Sequence, residues 1–280
     1  MEGSSAGLGG GGSLAPAAQS VALGGPADFA ALLKRQGLYP QAAGAPYHGG
    51  AGAIEQTQAT TIMAFKFADG VLMAGDRRAT AGNTVVYDRA DKVLEIDRHS
   101  LMAIAGVPAT AWEMARVLEH SFQFYRRTQL QEMSLDGKVR ALSKLLRDNF
   151  GFVMQGVGVV VPIFATYDTG AHAARLYFYD AMGAQFEAVD FAVSGSGSPA
   201  VRSILYYENT WGKKPLKEMG RAEAVVLALR ALDTAAETDT ATGGVDRRGR
   251  VYPVVKIVSG EGIETLTEED LANTFKTEVK

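Results

Sequence analysis

Cysteine is missing from all 280 residues, which excludes disulfides, thiolate metal sites and a cysteine nucleophile. That composition fits a reducing, cytoplasmic setting. An excess of positive charge is missing too. The 28 Lys and Arg stand against 31 Asp and Glu, a net charge of −3 that argues against nucleic acid or an anionic membrane as the main partner. No hydrophobic run is long enough to span a bilayer; the longest, around Val157–Tyr167, is interrupted by Pro162. Glu2 stands where a secretory signal would need positive charge, and no compact apolar segment follows it. Histidine is scarce, and His48, His99, His120 and His172 show neither metal-ligand nor triad spacing. Apolar residues are abundant instead, at 47 %, enough for a sizeable core.

Residues 1–59 differ from the rest. Gly, Ala, Ser and Pro dominate, a composition that buries too little to offset its ordering entropy. One island, Ala27–Pro40, predicts a short helix capped by Asp28, with Phe29, Leu32 and Leu33 on one face and Gly37 as its stop, either transient in a disordered tail or docking on a partner during assembly. From Thr60 onward the pattern is regular. Apolar runs at 61–67, 71–76, 93–96, 101–105, 157–167, 174–179, 186–193 and 252–258 predict strands. Helical periods cover 109–127, where Trp112, Ala115, Leu118 and Phe122 share a face, and 138–156. Two more helices are expected, one beginning at Ser198 as cap with Pro199 in its first turn, the other over 221–237. Two antiparallel sheets between helical layers would bury all these faces, an α+β, four-layer αββα sandwich.

The chemistry gathers around Thr60, Asp76 and Lys92. A threonine hydroxyl needs a base, and a chain-terminal threonine carries one in its own α-amine, with a reference pKa of about 7.7–8.0. A nearby lysine ammonium would favour the neutral amine, and a carboxylate such as Asp76 would fix that lysine. The residues alone leave a solvated ion pair as the other reading. The stretch "TTIMAFKFADGVLMAGDRRAT" resembles the mature start of proteasome β-type subunits, threonine peptidases of the N-terminal-nucleophile hydrolase class. The family's pattern of aspartate, lysine and glycine falls on Asp76, Lys92 and Gly106 when counted from Thr60, but on Arg77, Val93 and Val107 when counted from Thr61. The register selects Thr60 and leaves Thr61 as an ordinary strand residue. "DRRATAGN" resembles the family's substrate-strand segment and "VSGSGSPA" its Gly-Ser-Gly turn. "DTATGG" resembles its Asp-x-x-Ser/Thr-Gly segment.

That resemblance implies a nucleophile at Thr60, an Asp76–Lys92 pair, an oxyanion donor at Gly106, and polar supports at Ser196, Asp239 and Thr242. It implies that Thr80 lends backbone groups to the bound peptide, and that Ala79, Ala90, Leu94, Ile104, Pro108 and Trp112 line an apolar S1 pocket. It further implies a propeptide over 1–59, removed by autocatalytic cleavage between Ala59 and Thr60, and a catalytic domain over 60–280. No metal or organic cofactor is needed. The implied partners are other β subunits in a seven-membered ring, α-type subunit rings, a ring-shaped AAA ATPase activator and unfolded polypeptides. Two residues depart from the pattern: Ala59 stands where the family usually has glycine, and Pro108 removes a backbone N–H expected to meet substrate. Three alternatives compete. One is a nucleotide-binding enzyme, on the G-x-G-x-x-A match at Gly195–Ala200, which lacks the surrounding βαβ alternation. The others are a two-ring bacterial peptidase related to the proteasome and a non-catalytic ring subunit.

Overall fold

The computed structural model describes residues 29–38, 60–81, 84–246 and 251–279. A short helix, α1 (Phe29–Arg35), precedes six strands: β1 (Thr61–Phe67), β2 (Gly70–Gly75), β3 (Ala79–Ala81), β4 (Thr84–Tyr87), β5 (Val93–Asp97) and β6 (Ser100–Ala103). Helices α2 (Pro108–Gln129), α3 (Leu135–Asp148) and α4 (Phe150–Met154) follow. Strands β7 (Ile163–Asp168), β8 (Ala173–Tyr179), β9 (Gln185–Glu187) and β10 (Phe191–Gly195) lead to α5 (Ser198–Trp211) and α6 (Arg221–Thr238). The chain closes with β11 (Val254–Ser259), β12 (Gly262–Thr265) and α7 (Glu268–Thr274).

Two five-stranded antiparallel sheets result, ordered β10-β1-β2-β11-β12 and β5-β6-β7-β8-β9, with β3 and β4 as a separate ribbon. Three apolar clusters define four layers. Met63, Phe65, Leu72 and Ala74 face α5 and α6; Met102, Ile104 and Phe164 face α2 and α3; Ile62, Ala64, Val71, Leu101 and Ala103 fill the space between the sheets. Both faces of β1, β2 and β6 are therefore buried, and for that reason these strands read as nearly continuous apolar runs rather than alternating ones. The expected αββα sandwich is the observed architecture.

Several boundaries differ for local reasons. The run 157–167 becomes a strand only at Ile163. Gly156 and Gly158 take positive φ, and Val160 makes a lone bridge to Gly106. The run 186–193 is two strands, not one: β9 ends one sheet and β10 begins the other, so the chain crosses the sandwich between Glu187 and Phe191. The expected helix over 138–156 breaks at Asn149, whose amide donates to the Gly158 carbonyl at 2.6 Å. Ser198 does not cap α5. It is the first helical residue, Gly197 is the cap position, and no side chain caps it, whereas Pro199 does lie in the first turn. Trp112 is 41 % exposed; the buried face of α2 is carried by Ala111, Met114, Ala115, Val117, Leu118 and Phe122.

Helix α1 forms as expected and stops at Gly37, with φ of +68°. Asp28 lies outside the described residues, as does Ala59. The helix docks on this chain's own helical layer. Phe29 stacks on His120 with ring centroids 6.0 Å apart and packs against Phe124 at 5.7 Å, and Lys34 pairs with Asp148 at 2.7 Å.

Candidate active site

Thr60 immediately precedes β1 and is 3 % exposed. Its carbonyl accepts the Ser196 N–H at 2.9 Å, which extends the β1–β10 ladder beyond the Thr61–Gly195 pair. Gly195 makes that approach possible. It holds φ of +94°, and a Cβ there would lie 1.9 Å from the Thr60 carbonyl oxygen.

Asp76 follows the end of β2 and Lys92 precedes β5, and the two meet in the interior. The Lys92 ammonium donates to Asp76 Oδ1 at 2.6 Å and to the Arg78 carbonyl at 2.6 Å. The same Asp76 Oδ1 accepts the Thr61 N–H at 2.7 Å, so the pair sits one residue from Thr60. Asp76 Oδ2 accepts the N–H groups of Arg78 and Gly243, each at 2.9 Å. Asp76 has no exposed surface and Lys92 only 4 %. Burial lowers the Lys92 pKa from its ordinary value, and the Asp76 carboxylate opposes that fall. This is a desolvated, hydrogen-bonded pair, not the solvated one that strand-end charges usually form.

A second polar cluster forms where the turn after β10 meets the segment that follows α6. Asp239, just after α6, accepts the Ser196 hydroxyl at 2.6 Å and the Thr242 hydroxyl at 2.5 Å on Oδ2, and the Ala241 N–H at 3.1 Å on Oδ1. Burial raises the Asp239 pKa, but those three hydrogen bonds and the nearby Arg78 charge outweigh it, so the carboxyl is held below its usual range. The Ser196 hydroxyl also lies 3.4 Å from the Thr60 carbonyl oxygen.

Gly106 lies two residues beyond Ile104, whose N–H donates to the Lys92 carbonyl. The bonds flanking its bridge to Val160 run from Val107 N–H to the Val159 carbonyl and from Val161 N–H to the Ala105 carbonyl, each 2.8 Å. Gly106 is thus the non-hydrogen-bonded member of that ladder, and its own N–H is directed away from Val160. Its φ is +116°, and a Cβ would lie 2.0 Å from the Val159 carbonyl oxygen. Glycine is required here by both conformation and space.

Of the residues expected to line an apolar pocket, Ala79, Ala90 and Ile104 are buried, and Leu94 and Pro108 are half-buried. Ile104 is tied to the site by its N–H bond to the Lys92 carbonyl, and Ala90 by its N–H bond to the Arg77 carbonyl. Trp112 is the outlier, exposed on α2. A separate apolar cavity of ≈ 420 Å³, lined by Val107, Met114, Val117, Leu145, Phe152 and Val157 among others, shares no wall with this set. Thr80 lies buried on β3. Among the described residues, no group of three His, Asp or Glu is placed to hold a metal ion.

Residue-level reading missed three participants. Thr61 is not an ordinary strand residue, because its hydroxyl accepts the Gly197 N–H at 2.9 Å and lies 2.5 Å from that of Thr242. Arg78 supplies the carbonyl that holds Lys92 and reaches the Thr240 carbonyl with its guanidinium at 2.8 Å. Gly243 supplies an N–H to Asp76. Two of these act through backbone groups, which residue type does not disclose; for Thr61 the signal was a hydroxyl at the head of a mainly apolar run.

The proteasome subunit family model matches residues 56–248. "Proteasome subunit beta 2" of Thermomonospora curvata is 39 % identical over 221 residues, covering 79 % of this chain and 76 % of that protein. "Proteasome subunit beta" of Jonesia denitrificans is 38 % identical over 218 residues, 78 % of this chain and 70 % of its own. The Streptosporangium roseum protein of the same name is 39 % identical over 220 residues, 78 % and 75 %.

Proposed function

The chain belongs to the proteasome subunit family, and from that premise we infer that it is the β subunit of a bacterial 20S proteasome, a peptide-bond hydrolase whose nucleophile is Thr60. As a β subunit it assembles into rings with α-type subunits. A seven-membered ring, a ring-shaped AAA ATPase activator, unfolded polypeptide substrates and a cytoplasmic location complete the proposal. No described helix is long and apolar enough to cross a membrane.

The observation that carries the threonine assignment is the shared Asp76 Oδ1, which binds the Thr61 N–H and the Lys92 ammonium together. It holds a buried cation beside the residue that would become the chain terminus. While residues 1–59 are attached, the Thr60 nitrogen is an amide and cannot act as base. Attack of the Thr60 hydroxyl on the Ala59 carbonyl would convert that amide to an ester, and hydrolysis of the ester would release the segment and leave a free amine. In turnover the amine, through a water, takes the hydroxyl proton as the Thr60 oxygen adds to the scissile carbonyl. The Gly106 N–H receives the oxyanion. The ammonium returns its proton to the leaving amine, and water then hydrolyses the acyl ester. Lys92 lowers the cost of the charge that develops, and Asp76 keeps it protonated and fixed.

The test is the assembled particle, made by co-expression with the α-type subunit. Mass spectrometry should find a chain beginning at Thr60, and a threonine-reactive electrophile should label that residue. Thr60→Ala should retain residues 1–59, take no label and hydrolyse no peptide. Full activity in Thr60→Ala, or label on another residue, would overturn the assignment. A wild-type chain that keeps residues 1–59 and takes no label would instead identify a non-catalytic ring subunit.

A further inference from the structure

Thr61 touches both polar clusters, one with its backbone and the other with its side chain. Its backbone N–H binds Asp76 Oδ1 at 2.7 Å, and its carbonyl accepts the Asp76 N–H at 3.0 Å. Its hydroxyl enters the other cluster through Gly197 and Thr242. The direction of every proton in that second set follows from chemistry. An ionised Asp239 only accepts, so the Thr242 hydroxyl donates to it. Thr242 then has no proton left for Thr61, so the Thr61 hydroxyl donates to Thr242 at 2.5 Å. The Gly197 N–H can only donate, and it donates to Thr61. The result is a one-way chain, Gly197 N–H to Thr61 to Thr242 to Asp239, joined at the carboxylate by the Ser196 hydroxyl.

The space around the chain is filled. Thr61 and Thr242 have no exposed surface, and a Cβ on Gly197 would lie 2.5 Å from the Thr61 hydroxyl and 2.6 Å from that of Thr242. A cooperative chain of this kind fixes the rotamer of each hydroxyl in it. It therefore fixes Asp239 and, through it, Ser196, which meets the Thr60 carbonyl.

We propose that the Thr61 hydroxyl is a positioning residue for catalysis, locking the nucleophile-bearing end of β1 to the Asp239–Ser196 pair while its backbone holds Asp76. This rests on Thr60 being the nucleophile. Thr61 contacts no reacting atom; it acts by orienting both clusters about Thr60. The hydroxyl is what matters, not the β-branch, so serine should replace it and valine should not.

The experiment uses assembled particles carrying Thr61→Val, Thr61→Ser, Thr242→Val or the Thr61→Val/Thr242→Val pair. Thr61→Val should lower kcat by about 10- to 100-fold, since small misplacements of reacting groups cost about that much. KM should stay within about twofold, as expected for a contact that serves the reaction rather than substrate binding. Thr61→Ser should recover most of the rate. The double variant should fall no further than the slower single one, because both break the same chain. A kcat near wild type in Thr61→Val, or a Thr61→Ser variant as slow as Thr61→Val, would overturn the proposal; so would losses that multiply in the double variant. Should Thr61→Val fail to assemble, Thr242→Val decides, because it cuts the chain one bond later and leaves the Gly197–Thr61 contact in place. A Thr242→Val particle with wild-type kcat also overturns it. Labelling of Thr60 in the wild-type particle separates these outcomes from failure of the nucleophile assignment itself.

Discussion

Replacing Asp76 with asparagine removes one charge and one acceptor from a carboxylate that has no exposed surface. Four donors converge on it: the Thr61 N–H and the Lys92 ammonium on one oxygen, the Arg78 and Gly243 N–H groups on the other. An amide offers one oxygen and one NH2, so either orientation leaves two donors facing a donor. Each stripped group costs about 1–3 kcal/mol. Removing the partner of a buried ion costs about 3–5 kcal/mol. These figures overlap, because Lys92 belongs to both, so the expected loss is about 3–5 kcal/mol. That is a large share of a typical domain stability of about 5–15 kcal/mol.

The pH dependence gives a second, sharper readout. Burial already lowers the Lys92 pKa, and Asp76 opposes the fall. Asparagine removes the opposition, so the folded-state pKa drops further. Between the folded and unfolded values the unfolded chain binds the extra proton, so stability rises with pH across that window. In Asp76→Asn the window reaches to lower pH than in wild type. Urea titration of the full-length chain expressed without its partner subunit, at about pH 7 and about pH 9, should show a deficit that shrinks as pH rises. A pH 7 midpoint equal to wild type, or a deficit that grows toward pH 9, would refute the reasoning.

Two further outcomes concern the departures from the family pattern. Ala59→Gly should speed removal of residues 1–59, because a β-carbon restricts the backbone at the bond that the following side chain must attack; equal rates by mass spectrometry during reassembly would dismiss the idea. Pro108 opens α2 at a position where a helix leaves its N–H unpaired in any case. Pro108→Ala restores that donor, and KM for short peptides should fall; an unchanged KM would show that the missing N–H is not a substrate contact.

The layered fold was legible because burial on both faces writes itself into β1, β2 and β6 as nearly continuous apolar runs. The crossing between β9 and β10 was not, since residues 186–193 are equally apolar whichever sheet they join. Nor does helical period mark Lys138, which lies buried in α3 with its ammonium 2.6 Å from Asp97 and over the Phe122 ring. At the site, Thr60, Asp76, Lys92 and Asp239 were singled out by the resemblance of their segments to the family's. What spacing could not give was the role of backbone groups, such as the Arg78 carbonyl and the Gly243 N–H, or the fact that Thr61 belongs to the site. The exposed position of Trp112 shows the converse limit, for a three-to-four spacing fixes a face only to within the width of one side chain.

Chain ends ordinarily fray over their last few residues unless something ties them down. Thr60 and Thr61 are tied while still in mid-chain, by the Ser196 N–H on the carbonyl of their shared peptide, by the Asp76 carboxylate on its N–H, and by the Asp76 N–H on the Thr61 carbonyl. A cut before Thr60 would therefore change connectivity without asking the new terminus to find its place. The freed amine would inherit the stillness of an interior strand, a degree of order that a terminus synthesised free would have to acquire by folding.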